Sequence, residues 1–447
     1  MRPLLRALSA AAAPLVVCAL AVTCGSVNDA RRSAMDDVRA AVPSDAPLRV
    51  FATGDTRGYL EPCGCEVGQV GGVPRRATYL RAERRPGDLW IDLGNFTSGT
   101  EGVRRLRREG VLDALAVMHY DVLVPGRAEI LDGTAFDEAA RSRGVPVICA
   151  NLVGADGRPV FEPYVIRNLP DGRRVAVVGL ADVVDGAPEG RSVLAPAVSL
   201  RTIVLELEGR ADVVIAATSL SEPAALDLAV HAPGVALVLA GTTPEPDVPF
   251  TTTPNALLGV VGHLGGYVAR VDFGRDLRPA TTWRAWLDES VADDPAAAAI
   301  VRRYKDAVSA LDVQYVEKVV DGRRKESYAG SVACATCHRA EFGTWKKSLH
   351  AVAMRTLVSK ESQRDPDCVP CHLVDVPEPG RPLDPDALGV GCEACHGGSA
   401  AHVADPAVQT PARDGGRSLC ASQCHHPPEV KTFDLEARWA LIRHGGK

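Results

Sequence analysis

The last 120 residues of this 447-residue chain are short of the side chains that build a core. Between Tyr328 and Lys447, Leu, Ile, Val and Phe together number 21. That falls below the roughly 20% at which a chain can bury enough apolar surface to hold itself folded. Pro and Gly are frequent there too, as in Val376-Pro-Glu-Pro-Gly-Arg-Pro382. Such a segment stays disordered unless something else supplies its core. The chain also lacks a basic excess: 50 Lys and Arg stand against 56 Asp and Glu, a net charge of −6, with no basic stripe. This argues against nucleic acid as a partner. Beyond the first two dozen residues no stretch is long and apolar enough to span a bilayer.

What the C-terminal region does have is cysteine. Three pairs run straight into a histidine: Cys334-Ala-Thr-Cys337-His338, Cys368-Val-Pro-Cys371-His372 and Cys392-Glu-Ala-Cys395-His396. A stretched fourth reads Cys420-Ala-Ser-Gln-Cys424-His425. C-x-x-C-H is the attachment signature of c-type haem. Structural zinc is the rival reading, but zinc takes four ligands per ion and has no need of a histidine directly after every pair. The motifs therefore predict four covalent haem c groups, with His338, His372, His396 and His425 proximal to the irons. Four porphyrins would also furnish the missing core.

Residues 328–447 contain eight histidines. Four are the proximal ones, which leaves His350, His402, His426 and His444 as candidate distal ligands. His426 follows His425 directly and would have to serve a different haem. These readings predict a protein that handles electrons.

Several motifs here are similar to the cytochrome c-554 family of multihaem cytochromes. They are Tyr328-Ala-Gly-Ser-Val-Ala-Cys-Ala-Thr-Cys-His, Trp345-Lys-Lys-Ser-Leu-His350, Gly391-Cys-Glu-Ala-Cys-His-Gly-Gly-Ser-Ala-Ala-His402 and Arg438-Trp-Ala-Leu-Ile-Arg-His444. The resemblance implies a mostly helical, haem-packed domain that passes electrons. It also implies that His350 and His402 are distal ligands and that one haem is open to a five-coordinate state. The widened fourth motif departs from the family.

Met1-Arg-Pro-Leu-Leu-Arg6 followed by an apolar run to Val22 reads as a secretory signal, too short for a spanning helix. Leu20-Ala-Val-Thr before Cys24 resembles a lipoprotein cleavage box, with Cys24 as the lipid anchor. A location outside the cytoplasmic membrane, such as a periplasm, fits c-type haem attachment. The expected organisation is signal 1–24, linker 25–47, an α/β body 48–290, a connecting helix and linker 291–327, and a tetrahaem domain 328–447.

The α/β body announces itself through short, continuous, β-branched runs bounded by Gly, Pro and Asp. They cover residues 48–53, 88–93, 145–150, 174–180, 211–217 and 235–240, and read as buried strands of a layered domain. Residues 293–318 turn helical, with Ile300, Tyr304, Val308 and Leu311 at three- and four-residue spacing.

The landmarks of this body resemble the calcineurin-like metallophosphatases of the 5′-nucleotidase type. They are Thr53-Gly-Asp55-Thr-Arg57-Gly, Asp92-Leu-Gly-Asn95, Pro125-Gly126-Arg-Ala-Glu129, Ala217-Thr-Ser219 and Ala240-Gly-Thr-Thr243. The likeness implies a sandwich fold, but the ligands of the family's two metal ions are gone. Asp55 remains, Arg57 replaces histidine, Asn95 replaces aspartate, Arg127 and Ala128 replace asparagine and histidine, and Ser219 and Thr242 stand where histidines belong. Two-metal hydrolysis needs both ions, so the residual site of Asp55 and Asn95 predicts a scaffold without phosphatase chemistry.

Cys63-Gly-Cys65 follows this loop. Two thiols one residue apart close only a strained, reducible ring, so they read as a redox dithiol, a soft metal site, or a structural disulfide involving Cys149. The expectation is an exported electron-transfer protein that meets redox partner proteins or quinol-linked donors, with the α/β body repurposed to bind a partner or small anion. The alternatives are a haem-dependent oxidoreductase and, more remotely, a phosphoesterase fused to a cytochrome.

Overall fold

The computed structural model describes residues 45–62, 70–242, 248–262, 264–377, 383–384, 388–411, 416–425 and 433–444. The expected signal and Cys24, the Cys63–Cys65 pair, His263 and His426 lie outside them. Among the described residues no helix is long and apolar enough to cross a membrane.

Two mixed sheets face each other. The first runs, edge to edge, Pro279–Trp286, Tyr267–Phe273, Leu48–Thr53, Leu89–Asp92 and Val122–Leu123. The second runs Thr251–Thr252, Leu257–Val260, Leu237–Thr242, Val213–Ser221, Arg174–Leu180 and Tyr164–Asn168. Strand Leu48–Thr53 is buried along its whole length because side chains leave a strand alternately to either face. Leu48, Val50 and Ala52 enter the core between the sheets, with Val177, Ile215 and Leu239 of the second sheet. Phe51 points the other way, stacked on Trp90 with ring centroids 4.4 Å apart, beneath Ala77, Leu80, Leu115 and Ile300 from the helices. A matching layer, including Leu200 and Leu228, covers the far face of the second sheet. A strand buried on both faces therefore reads as a mainly apolar run, interrupted here by Arg49, which is paired with Glu83 and Asp88.

Helix Val73–Glu83 starts with proline in its first turn, where the missing N–H costs nothing. Helix Glu101–Met118 buries Val103, Val111, Leu112, Leu115 and Met118, the stripe expected of a helix on a sheet.

Two expectations need correction. Residues 145–150 form no regular strand; Val147 and Ile148 make single bridges to Leu123 and Glu162. The predicted single connecting helix is two, Pro295–Leu311 and Tyr315–Lys325. Asp312 leaves helical geometry with φ −150°, and its carboxylate accepts from the Gln314 N–H, a local bond that competes with helix continuation. Asp294 caps the first of the two, accepting from the N–H groups of Ala296 and Ala297 at 3.0 Å each.

Beyond Tyr328 the elements shrink to turns and helices of three to eight residues. The apolar cluster there centres on Val316, Val320, Met354, Leu357, Val369 and Leu373, and two of these belong to the connecting helix.

Candidate functional site

The four cysteine motifs share one backbone closure. In the three regular ones the histidine N–H donates to the carbonyl of the first cysteine: His338 to Cys334 at 2.9 Å, His372 to Cys368 at 3.3 Å and His396 to Cys392 at 3.0 Å. In the stretched motif His425 makes the same bond to Cys420, at 2.7 Å. Its extra residue is absorbed as a π-turn over Cys420–Cys424, the form a one-residue insertion takes in a helix. The widened spacing thus ends with cysteine and histidine in the same local relation.

The histidines pair across the chain. Ring centroids lie 6.2 Å apart for His338 and His402, 6.0 Å for His350 and His425, and 6.0 Å for His396 and His444. Two metal–imidazole bonds of about 2.0 Å plus two ring radii of about 1.1 Å span roughly 6 Å. Each pair therefore has the centroid separation that two imidazoles on one iron would have. His402 and His444 direct Nδ1 at the carbonyls of Val408 and Ile442, at 2.6 and 2.9 Å. His372 does so at Ala353 O, at 2.8 Å. A carbonyl only accepts, so Nδ1 carries the proton and Nε2 keeps its lone pair for a metal. Burial pushes His350, His396 and His425 below the usual imidazole range, with neighbouring histidines adding to this for the last two. That favours the neutral, ligating form.

The thiols order the motifs in space. The Cys334 and Cys392 thiols hydrogen-bond, which raises the first and lowers the second, and Cys424 is raised by its bond to Cys371. Gly416, at φ 75°, packs against the Cys395 backbone so closely that a Cβ would clash. The first motif thus abuts the third, the third the fourth, and the fourth the second.

Two carboxylates, Glu393 buried and Asp375 half-buried, fasten this arrangement. Glu393, inside the third motif, accepts from the N–H groups of Ala329, Gly330 and Ser399 at 2.7–2.8 Å. Asp375 accepts from the Ser331 N–H and hydroxyl, and Ser331 Oγ accepts from the Cys392 N–H at 3.0 Å. Sequence reasoning missed both. The glutamate between two haem-type cysteines was the available signal.

In the α/β body, Asp55, Arg57 and Asn95 all adopt positive φ (48°, 46° and 56°) at the ends of neighbouring parallel strands. Non-glycine residues are uncommon in this region of backbone conformation. The side chains, however, are tied to one another. Arg57 Nε donates to Asp55 Oδ1 at 3.1 Å. Asn95 Nδ2 donates to Thr242 Oγ1 at 2.8 Å, and Asn95 Oδ1 accepts from the Arg127 N–H at 3.0 Å. Ser219 Oγ is bound to Pro125 O. A cation would meet one carboxylate already neutralised by Arg57, so these residues do not fit a two-metal centre. His119 and His231 are exposed and lie outside this cleft.

The comparisons divide the chain the same way. Residues 333–397 match the family described as "Cytochrome c554 and c-prime". Over 89 residues the chain is 35% identical to cytochrome c-554 of Nitrosomonas europaea, covering 16% of this chain and 38% of that protein. The C-terminal region is cytochrome c-554-like. The α/β body superposes on a 5′-nucleotidase precursor of Thermus thermophilus (TM-score 0.51, 21% identity, 59% of each chain). It also superposes on the sulfate thiohydrolase SoxB of the same organism (TM-score 0.52, 16% identity, 61% of this chain and 62% of that one). At such identities the likeness establishes a metallophosphatase-like sandwich fold alone. This chain spans less than two thirds of each of these relatives.

The cytochrome match implies covalently held haem, and the residues fit it. Cysteine pairs stand beside paired imidazoles, and apolar side chains stand open next to them. Leu349, next to His350 in the chain, and Leu441, three residues before His444, are 87% and 71% exposed, apolar surface that a bound haem could cover.

Proposed function

We propose that the protein is an exported tetrahaem c-type cytochrome that carries electrons, with its α/β body retained as a docking module for a partner or small anion. The observation that carries this is the set of three imidazole pairs near 6 Å, each joining a motif histidine to a histidine from elsewhere. Haem bound at the four motifs supplies reversible one-electron chemistry. The polypeptide supplies the rest. Cys334 and Cys337, Cys368 and Cys371, Cys392 and Cys395, and Cys420 and Cys424 hold the groups covalently. His338, His372, His396 and His425 ligate proximally, and His402, His444 and His350 ligate the first, third and fourth irons distally. The spatial order first, third, fourth, second supports a chain of closely spaced redox centres with the second at the end nearest the α/β body.

Phosphoester hydrolysis is disfavoured by the Asp55–Arg57 pair and the Asn95–Thr242 bond. Location outside the cytoplasmic membrane follows from the expected signal and from where haem attachment occurs. The test is mass spectrometry and a potentiometric titration, read optically and by EPR, on protein matured with a c-type haem machinery. Four haem additions with at least three low-spin ferric centres support this reading. Protein that matures without covalent haem removes it.

A further inference from the structure

One buried cation joins the two halves of the chain. Arg107, on helix Glu101–Met118, is 8% exposed yet reaches across the seam to the segment that leads into the second haem motif. Its Nη1 pairs with Asp367 Oδ2 at 2.8 Å and its Nη2 with Asp365 Oδ2 at 3.5 Å. Asp365 in turn shapes the attachment turn itself. Its carbonyl accepts from the N–H groups of Cys368 and Val369 at 3.0 Å each, and its Oδ1 accepts from the Asp367 N–H at 2.9 Å.

On its other side Arg107 lies against the loops of the old metal cleft. Its Nη1 contacts Ser98 Oγ at 3.5 Å, and Ser98 donates to the carbonyl of Arg57. Gly58 and Gly99, at φ 78° and 98°, pack so tightly on the Arg107 side chain that a Cβ at either would collide with it. Asp367 Oδ1 also accepts from the Thr100 N–H at 3.3 Å. The guanidinium fork, whose Nε also donates to Tyr304 OH at 3.0 Å, is one of the few groups that can satisfy two carboxylates and two hydroxyls together, and it touches both the cleft loops and the haem-binding turn.

We propose that Arg107 is a positioning residue for the second haem, through which the cleft loops of the α/β body set the charge and geometry around that haem. Reduction adds an electron, so nearby fixed charge moves the potential. Positive charge favours the ferrous state and negative charge the ferric state. This rests on the reading that Cys368 and Cys371 carry haem.

The test uses full-length holoprotein and the variants Arg107→Gln, Arg107→Lys and Asp367→Asn. Individual haem potentials are read by optical and EPR titration, with Cys368→Ser/Cys371→Ser marking which centre is the second haem. The expected result is a shift of that one haem in opposite directions. Arg107→Gln makes it harder to reduce, Asp367→Asn makes it easier, and Arg107→Lys stays close to the parent. A tenfold change in its ferric-to-ferrous ratio corresponds to about 59 mV. A merely structural seam would shift both neutralising variants the same way, and that outcome overturns the proposal, as does no shift or a shift confined to another haem. If Arg107→Gln matures without haem, the signs for Asp367→Asn and Arg107→Lys still decide. Haem counting on the parent separates the two claims: an empty second motif defeats the functional reading, whereas a full complement without opposed shifts defeats only this one.

Discussion

His350 and His425 face each other with ring centroids 6.0 Å apart. His350 follows the first haem motif along the chain and His425 closes the last. Proximity in sequence would assign His350 to the first or second haem, yet it stands opposite the histidine of the stretched motif. The pairing and the π-turn together give the fourth motif the same backbone closure as the others and a facing imidazole like those of the first and third.

His350→Ala should therefore open the haem at Cys420 and Cys424. A high-spin ferric EPR signal in excess of the parent's is expected in that variant, and this excess should vanish when Cys420→Ser/Cys424→Ser is added. An excess over the parent's high-spin signal that survives the added substitutions would place His350 on another haem.

The backbone closure shared by all four motifs leads us to expect four haems. Intact mass should show four additions in the parent and three in Cys420→Ser/Cys424→Ser. A parent with three additions, and with both of those thiols open to alkylation, would strike out the fourth site and leave the others.

No metal-dependent phosphatase or nucleotidase activity is expected with Mn²⁺, Zn²⁺ or Mg²⁺, because Arg57 occupies Asp55 and Asn95 is bound to Thr242. Turnover of a nucleotide that is lost in Asp55→Ala would contradict this.

Arg76 and Asp92 are both fully buried, with Nη1 to Oδ2 at 3.4 Å, and Asp92 also accepts from Thr53 Oγ1 and the Gly94 N–H. Removing one member of such a pair strands the other charge and costs about 3–5 kcal/mol. Arg76→Met should lower the denaturant midpoint accordingly. The double variant Arg76→Met/Asp92→Leu should recover much of the loss, and equal destabilisation in the two would mean that the pair is not the cause.

Cys149 is a buried free cysteine, and burial pushes its thiol up to about 11, against about 8.5 for an ordinary thiol. The folded state therefore holds this proton more tightly than the unfolded one. The resulting stability is complete below the unfolded value and is lost as pH rises through the folded one. The denaturation midpoint should fall from about pH 8.5 toward pH 11, less steeply in Cys149→Ala. Native protein at about pH 8, below the ordinary thiol value, should leave this thiol unalkylated; rapid labelling there would show it accessible.

Much of the fold is legible in the chain. Buried strands announce themselves as mainly apolar runs, so residues 48–53 and 174–180 can be read with their bounds even though each includes an arginine, Arg49 and Arg174. The strands Tyr267–Phe273 and Pro279–Trp286 escape such a reading. Exposed and half-exposed positions in the second of them, such as Thr281 to Arg284, break the run, and only pairing beside Leu48–Thr53 makes the two sheet. At residues 293–318 periodicity misleads because one aspartate's local hydrogen bond outweighs it.

The sequence by itself determined where the four cysteine–histidine motifs stand and that Asp55 has Arg57, not a histidine, two residues on. Thioether attachment and metal ligation depend on residue identity at fixed short spacing. Only the tertiary structure decided which histidine faces which motif, the order of the motifs in space, and the seam where Arg107 meets Asp365 and Asp367. Those relations join residues far apart in the chain, and they are set by side-chain geometry and burial that no local pattern encodes.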